Sequence, residues 1–254
     1  NIIGNKRINT IHLKNDYAYL ATGFGIVVLD TRRKEIKDTY YLGINGGYIN
    51  IQDITTDANF IYAATDSGVY RASLTNNNLS NFAAWSKMTG LPTGIYSDIC
   101  AFNGKVYTNF AKRLMDNSYA QDTVFVYNGT SWALNFVTQG YNCFHIEATG
   151  TDIGFAFDGY YDIYDINNVL IQHVYTYQGV FPAPRQIAIE NPSKVWVADA
   201  TIGLVGVFFT WTSKNYVPDG PGSSKAYAID IKKSNVWVVP GEHNGLWDNS
   251  DAPN

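Results

Sequence analysis

Carboxylates are the residues of this chain best placed to carry out chemistry, and three of them lie in or beside isoleucine-centred segments. These three are Asp98, Glu147 and Asp230. Carboxyl groups from separate segments can meet in a folded chain and cleave a glycosidic bond as an acid–base pair. Most of the remaining aspartates fall in turn-like sequence, where the side chain caps its own backbone. An enzyme hypothesis therefore depends on Asp98, Glu147 and Asp230 converging.

The sequence predicts no metal site and no cofactor. None of the four histidines has another histidine at ligand spacing, and His12 and His145 fall inside predicted strands, where we expect a structural role. The nucleophile, phosphate-binding and metalloprotease motifs that have a fixed spacing are all missing from the sequence. The cysteines, Cys100 and Cys143, are expected to be buried thiols, with a disulfide between neighbouring repeats as the alternative.

Charge and hydropathy exclude two classes of function. The net charge is −4, and the one basic cluster is Arg32-Arg33-Lys34 in a predicted turn, so nucleic acid is not an expected partner. No run of 18 apolar residues occurs, so we expect no membrane span. The chain is 46% hydrophobic and 16% charged, which is typical of a folded globular protein.

A binding surface is the alternative to catalysis, and the insertion at 108–122 is its best candidate. The insertion contains Lys112, Arg113 and Tyr119, and Tyr96 and Tyr141 fall in predicted loops. Tyrosine and arginine are favoured in protein interfaces because they combine apolar area with hydrogen-bonding groups. We therefore predict that these five residues share one face, formed by the loops that leave the second and fourth strands of each repeat. No stretch of the chain is predicted to form a helix of useful length, and the insertion itself is predicted to be a long loop.

These candidates must be positioned by a repeated β unit. The segment 16–30 reads as a β-hairpin, and its pattern returns at 61–69 and 195–204. The aromatic residue of this pattern recurs every 41 to 48 residues, which is the period of a four-stranded propeller blade. Its positions are Tyr19, Tyr62, Tyr107, Phe155, Trp196 and Trp237.

The repeat predicts an all-β fold, a β-propeller of four-stranded antiparallel blades within a single domain, 1–254. Five complete blades and a partial sixth are expected, at 8–43, 49–88, 96–137, 141–178, 183–222 and 225–254. In the third, Asn128-Gly129 is predicted to be a two-residue hairpin turn. The sixth lacks an outer strand, so either residues 1–7 complete it or the chain is a fragment of a larger ring, with seven blades as one form.

Six segments of the sequence are similar to those of a known family; they are 8–13, 19–30, 35–43, 61–72, 184–188 and 195–199. They resemble the N-terminal propeller region of PorZ proteins, which are related to two-component-regulator propeller repeats. The resemblance implies a longer protein with a second propeller and a C-terminal β-sandwich. It also implies a non-enzymatic role at the surface of Bacteroidetes, in the type IX secretion complex that attaches exported cargo to lipopolysaccharide. It implies no residue-level motif for these positions.

Three functional hypotheses follow. The first is a non-catalytic scaffold or binding module of type IX secretion, exported to the outer membrane surface or the periplasm. Its expected partners are proteins of the surface complex, with surface glycan or lipopolysaccharide as further candidates. The second is the periplasmic ligand-sensing propeller of a hybrid two-component regulator. The third is a glycan-active propeller enzyme that uses Asp98 or Asp230.

Overall fold

The computed structural model describes most of the chain. The described residues are 5–116, 121–138, 141–177, 179–191, 193–208, 212–216, 226–232, 235–240, 242–243 and 249–250. They divide into two compact units, Asn1–Gly140 and Tyr141–Asn254, which we call unit 1 and unit 2.

Unit 1 contains three four-stranded antiparallel sheets, in which sequential strands lie side by side. We call them blades 1 to 3. Blade 1 is β1 (Ile8–Lys14), β2 (Tyr17–Thr22), β3 (Gly25–Asp30) and β4 (Glu35–Tyr40); blade 2 is β5 (Ile51–Thr56), β6 (Phe60–Thr65), β7 (Gly68–Ser73) and β8 (Ser86–Lys87); blade 3 is β9 (Tyr96–Phe102), β10 (Lys105–Phe110), β11 (Thr123–Tyr127) and β12 (Trp132–Val137).

Apolar side chains from facing sheets form the core of unit 1. Tyr19 and Val28 of blade 1 pack with Ile61 of blade 2, and Tyr62 of blade 2 packs with Val106 of blade 3. Successive side chains of a strand point to opposite faces of the sheet, so residues at every second position face the same neighbouring blade. The aromatic residues that mark the repeat at 19 and 62 therefore fill the space between blades.

Unit 2 contains two more four-stranded blades and two short two-stranded sheets. Blade 4 is β13 (Cys143–Ala148), β14 (Asp152–Phe157), β15 (Tyr160–Asp165) and β16 (Leu170–Val174); blade 5 is β17 (Pro184–Asn191), β18 (Lys194–Asp199), β19 (Gly203–Phe208) and β20 (Thr212–Tyr216); the short sheets are β21 (Ala226–Lys232) with β22 (Asn235–Pro240), and β23 (Glu242–His243) with β24 (Asn249–Ser250). The predicted propeller class, with five complete blades and a partial sixth, is confirmed.

Two cores hold unit 2 together. Ile163 and Tyr161 of blade 4 pack with Ile187 of blade 5, and Trp196 of blade 5 packs with Ile229 of β21. The last aromatic of the repeat behaves differently, because Trp237 in β22 is 63% exposed. Its position was predicted from the repeat, but a two-stranded sheet has less neighbouring surface with which to cover a large ring.

The predicted two-residue turn of blade 3 is wrong, and the insertion contains no helix longer than one turn among the described residues. Asn128-Gly129 does not form a two-residue turn: four residues, 128–131, connect β11 to β12, and Asn128 Oδ1 accepts from the backbone N–H groups of Thr130 and Ser131. The insertion also contains one helical turn, α1 (Arg113–Asp116). In both segments local backbone hydrogen bonds, which the residue pattern does not reveal, select the conformation.

Glycine is required where the hairpin of blade 1 meets the outer strand. Gly25 has a φ of 154°, and a Cβ at this position would collide with the carbonyl oxygen of Tyr40 on β4. A side chain would therefore push β4 away from β3. The glycine that follows the aromatic in the repeat is a steric requirement of the blade.

A β-bulge recurs in the first strand of each blade and in β21. In each of these strands one residue has no partner on the second strand. The residue after it is polar or small and precedes an isoleucine. A β-bulge redirects nearby side chains. We call the residue before the isoleucine the latch residue; the latch residues are Thr10, Asp53, Asp98, His145, Gln186 and Ala228.

In unit 2, latch residues connect one first strand to the next. His145 Nδ1 accepts a hydrogen bond from the backbone N–H of Ile187 at 3.4 Å. Gln186 Oε1 accepts from the backbone N–H of Ile229 at 2.9 Å. Each bond satisfies an amide that has no ladder partner on that side of its strand. The latch therefore fixes the register between consecutive first strands.

Candidate functional site

The predicted binding residues do not all reach the surface. Tyr96 lies in β9 with 0% of its surface exposed, and its hydroxyl donates to the carbonyl oxygen of Pro92 at 2.8 Å. Its ring packs 5.2 Å from the ring of Phe110. The predicted loop position of Tyr96 is wrong, and the residue supports the base of the insertion from within the core.

The insertion begins at the end of β10 and turns back over the loop that precedes β9. The backbone N–H of Ala111 donates to the carbonyl oxygen of Ile95 at 2.9 Å. Lys112 is exposed, and Arg113 begins α1. Gly94 lies directly beneath the sulfur of Met115, where no Cβ would fit. Tyr119 lies outside the described residues.

Tyr141 is the predicted binding residue with the clearest surface position. It is 44% exposed, and its ring meets the ring of Tyr160 edge-on at 5.2 Å. Tyr160 continues the aromatic row to His173, which is 5.3 Å away and is hydrogen-bonded to Asp162 at 2.6 Å. The row therefore supplies Tyr141 with a packed support in unit 2.

The three candidate catalytic carboxylates have different environments. Asp98 is buried in unit 1, whereas Glu147 and Asp230 belong to unit 2. Glu147 is half-buried, and Asp230 is exposed, with Oδ1 accepting from the backbone N–H of Ile231. Within the described ranges, no three His, Cys, Asp or Glu side chains come together in a way that could hold a metal ion.

The partner of Asp98 is a carboxylate that the sequence did not single out. Asp53 is the latch residue of β5, and its side chain is hydrogen-bonded to that of Asp98. Asp53 Oδ1 accepts from the hydroxyl of Thr10 at 2.8 Å, and Oδ2 accepts from the backbone N–H of Ile99 at 2.9 Å. Residues from three consecutive first strands therefore meet at one carboxyl group.

Desolvation governs the titration of this latch region. The protein atoms around Asp53 raise the pKa of its carboxyl, although its hydrogen bonds from Ile99 and Thr10 act in the opposite direction. Burial lowers the pKa of His145 to about 4. Burial also lowers the pKa of His12 to about 4, with help from Lys14. Both histidines are thus neutral near pH 7 and act as structural residues.

A cleft between blades 2 and 3 is the feature that sequence reasoning missed. It has a volume of about 560 Å³ and lies at the end of the sheets where first strands turn into second strands. Cavities of this size accommodate small ligands and peptide side chains. The residues around it include Asp57, Phe60, Arg71, Lys105 and Tyr127.

The two-residue turn Asn103-Gly104 forms one edge of this cleft. Both residues have positive φ, 48° and 71°, which permits the chain to reverse directly between β9 and β10. The insertion leaves the other end of β10. Five residue steps at about 3.3 Å each place the cleft roughly 17 Å from the insertion along this strand.

Arg71 is fixed within the cleft by aromatic side chains. Its guanidinium carbon lies 4.9 Å from the ring centre of Phe60 and 5.7 Å from that of Tyr127. One terminal nitrogen donates to the hydroxyl of Tyr127 at 3.0 Å, and that hydroxyl donates to the carbonyl oxygen of Gly129 at 2.8 Å. The guanidinium is therefore held in one orientation before any ligand arrives.

Asp57 lies in the same cleft, but its oxygens are occupied by neutral donors. Oδ1 accepts from the backbone N–H groups of Asn59 and Phe60, both at 2.7 Å, and Oδ2 accepts from the hydroxyl of Tyr62 at 2.8 Å. Burial, and then the bond to Asp57, raise the pKa of Tyr62, so the phenol remains a donor. Asp57 therefore shapes the turn before β6.

Comparison with known proteins supports the resemblance that the sequence analysis identified. Residues 1–86 match the family model described as the N-terminal β-propeller domain of PorZ of the type IX secretion system. This match covers about a third of the chain. No curated protein matches the chain. None of the helical segments in the described part has the length and apolarity that a membrane crossing requires.

Solved structures of similar fold include two kinds of bacterial propeller. PorZ, an essential bacterial surface component of the type IX secretion system of Porphyromonas gingivalis, is 16% identical with a TM-score of 0.63. The match covers 93% of this chain and 30% of PorZ. The extracellular domain of a hybrid two-component system protein from B. thetaiotaomicron is 13% identical with a TM-score of 0.64, over 94% of this chain and 33% of that chain.

A computationally designed protein, Ika8, shares the architecture at 12% identity and a TM-score of 0.58, over 91% of this chain and 67% of Ika8. At these identities the structures show the fold alone. The present chain spans about a third of PorZ and of the two-component system protein. The chain is thus a β-propeller module whose first third matches the PorZ N-terminal propeller family.

Proposed function

We propose that this chain is part of an exported, non-catalytic binding or scaffold module of type IX secretion, which acts in the attachment of cargo at the cell surface. The observation that carries the proposal is the match of residues 1–86 to the PorZ N-terminal propeller family. The outer membrane surface or the periplasm is the proposed location. Protein components of the surface complex are the proposed partners, with surface glycan or lipopolysaccharide as a further partner.

Deletion of the full-length gene in its own cell tests this proposal. Cargo proteins that carry a type IX signal should then no longer be attached to the surface, as measured by surface biotinylation and immunoblotting of cell fractions. Return of the intact gene should restore attachment. Normal cargo attachment in the deletion strain would contradict the proposal.

The proposed partner contacts are Lys112, Arg113, Tyr119 and Tyr141. Lys112 and Tyr141 support this choice because both are exposed. Tyr96 is buried and is not retained as a contact. Substitution of Arg113 and Tyr119 together should weaken capture of the partner complex without changing the melting temperature. Unchanged capture would contradict this placement.

A sensor propeller of a two-component regulator is the second candidate function. It is favoured by the structural similarity to two extracellular regulator domains from B. thetaiotaomicron, with TM-scores of 0.64 and 0.65. The flanking gene sequence distinguishes the two candidates. A transmembrane segment followed by a histidine kinase on the same polypeptide would favour the sensor and exclude the secretion scaffold.

A further inference from the structure

Arg71 stands at a repeat position that holds a valine or glycine in blades 1, 3 and 5 and a charged residue in blades 2 and 4. In each blade, one residue of the third strand pairs with the aromatic residue of the second strand. In blade 1 this residue is Val28 opposite Tyr19, and it is buried. In blade 2 it is Arg71 opposite Tyr62. A charged group at this position is costly unless it has a partner. In blade 4 the charged residue is Asp162, which is paired with His173, so the partners of Arg71 decide what it can do.

The described residues leave most of the hydrogen-bonding capacity of Arg71 unused. A guanidinium has five N–H donors, and one of them donates to Tyr127. No carboxylate lies within ion-pair distance of Arg71 in the part of the chain that the structure describes. Asp57, the acidic residue of the cleft, accepts from backbone amides and from Tyr62. The cleft therefore presents a fixed cation that has no acidic partner among the described residues.

Two lysines add to the positive charge around the cleft. Lys105 lines it and is exposed. Lys14 extends across from blade 1, and its ammonium donates to the carbonyl oxygen of Asp57 at 2.9 Å. Three cationic groups and one carboxylate thus lie in or beside the cleft. The local charge favours an anionic ligand, whereas the net charge of the chain is −4.

The aromatic rings of the cleft are already covered by other groups. The guanidinium of Arg71 lies over Phe60 and Tyr127. Trp132 packs 5.2 Å from Tyr127, and Tyr62 packs 6.1 Å from Phe60. Stacking of a sugar ring would require an uncovered aromatic face. The coverage of Phe60 and Tyr127 by Arg71 therefore favours recognition by charge and hydrogen bonds over ring stacking.

We propose that this cleft binds an acidic peptide segment, with a glutamate or aspartate side chain of the segment paired to Arg71 and supported by Lys105. A guanidinium pairs with a carboxylate through two parallel N–H···O bonds. The exposed amide side chains of Asn59 and Asn103 stand at the edge of the cleft. The amide of Asn59 has one donor group and one acceptor, as the peptide backbone does.

This proposal concerns a site separate from the insertion and does not depend on a role in secretion. The test uses the whole purified chain and a short fluorescein-labelled peptide of alternating glutamate and glycine. A peptide of alternating glutamine and glycine is the control ligand. Fluorescence anisotropy should show binding of the glutamate peptide that weakens as salt rises, and little binding of the glutamine peptide.

Variants of the cleft assign the binding to Arg71. Arg71→Gln should weaken binding by about tenfold or more, because a charge-assisted pair is lost. Arg71→Lys keeps the charge but loses the planar fork, so an intermediate loss is expected. Lys105→Gln should give a smaller loss. Arg32→Gln is the matched control, since Arg32 is exposed at the same end of the sheets and pairs with Asp16 at 2.6 Å.

Four outcomes would overturn the proposal. Two of them are equal binding of both peptides and no binding of either peptide. The third is equal binding by wild type and Arg71→Gln, and the fourth is preferential binding of a uronic-acid oligosaccharide that displaces the glutamate peptide. Circular dichroism of each variant checks the fold. If Arg71→Gln does not fold, Arg71→Lys and Lys105→Gln decide the result, because both variants keep a long aliphatic side chain at position 71.

Discussion

In both units the latch residue of a first strand hydrogen-bonds to a neighbouring first strand, but the side chain that makes the bond differs between the units. In unit 1 the latch residue Asp53 bonds the first strands on both sides, through Thr10 and Ile99. In unit 2 the latch residues His145 and Gln186 each bond only the following strand among the contacts within that unit. The comparison shows that the bulged backbone fixes where the side chain points. The side chain itself then decides how many strands it joins and how the bond responds to pH.

The largest expected effect is the loss of the Asp53 latch. Asp53→Ala leaves the N–H of Ile99 without its acceptor and removes the bond to Thr10. Because bonds to a charged group contribute about 1.5–3 kcal/mol each, we expect the free energy of unfolding to fall by about 3 kcal/mol. Gln186→Ala removes one neutral bond and should cost about 1 kcal/mol. Urea denaturation of both variants measures the difference.

Asp230→Ala is the control for this prediction, because Asp230 also lies in a first strand but is exposed. A change within about 0.5 kcal/mol is expected there. Equal destabilisation by Asp53→Ala and Gln186→Ala would show that the carboxylate does not join more strands than the amide.

The second prediction is that acid has opposite effects through Asp53 and His145. The pKa of Asp53 is raised in the folded state, so its contribution is greatest in acid and is lost as the pH rises above the ordinary aspartate range near about 4. The folded pKa of His145 is about 4, so its contribution is present at neutral pH and is lost as the pH falls from about 6.5 towards 4.

Urea denaturation across this pH range tests the two signs. Relative to wild type, Asp53→Asn should become more favourable as the pH rises, and His145→Gln should become more favourable as the pH falls. The difference should exceed about 1 kcal/mol in each case, since one unit of pKa corresponds to about 1.4 kcal/mol. The contribution of His12 cancels in both differences. Equal signs for the two variants would contradict the assignment.

The third prediction concerns a second hydrogen bond between neighbouring first strands, which Thr55 makes in blade 2 and which the corresponding residue of blade 5 cannot make. Thr55 lies two residues after the latch, and its hydroxyl accepts from the backbone N–H of Ala101 at 3.1 Å. The corresponding residue of blade 5 is Ala188, which has no hydroxyl. Thr55→Val keeps the shape and should lower the free energy of unfolding by about 1 kcal/mol. Thr212→Val, on an exposed outer strand, should change it by less than about 0.5 kcal/mol.

The smallest effect is on reactivity and not on stability. Cys100 of unit 1 is half-buried, whereas Cys143 of unit 2 is fully buried, and both are thiols. Native protein should react with a disulfide reagent in two phases, with Cys100 reacting at least about tenfold faster. Cys100→Ser should remove the fast phase. If Cys143→Ser removes the fast phase instead, the accessibility of the two first strands is reversed.

The fold was predictable because it depends on features that repeat. The aromatic at Tyr19 and Tyr62, the glycine at Gly25 and the isoleucine-centred first strands recur at nearly equal intervals. Each copy faces the same steric problem, so each copy selects the same residue types. The period of the sequence therefore determines the number of strands in a blade. The prediction of a two-residue turn failed at Asn128, where side-chain hydrogen bonds to the backbone select a longer turn.

The candidate sites were only partly predictable. Asp98 was identified as unusual, but its partner Asp53 was not, because the contact joins residues 45 positions apart in the sequence. Tyr96 was expected in a loop, yet it is the first residue of β9 and its ring is buried. Arg71 could have been found as the one cationic residue at a position occupied by Val28 in blade 1 and by Asp162 in blade 4.

By itself, the sequence determined that this protein is built from four-stranded blades, since every blade must fill the same space with the same kinds of side chain. Only the tertiary structure decided which polar residues meet. Asp53 reaches Ile99, and Arg71 reaches Tyr127, across boundaries between blades. Such contacts depend on the direction in which a bulged or paired strand points a side chain, and residue order does not specify that direction. What repeats in the sequence builds the blades, and the residues that break the repeat acquire their roles from the neighbours that folding provides.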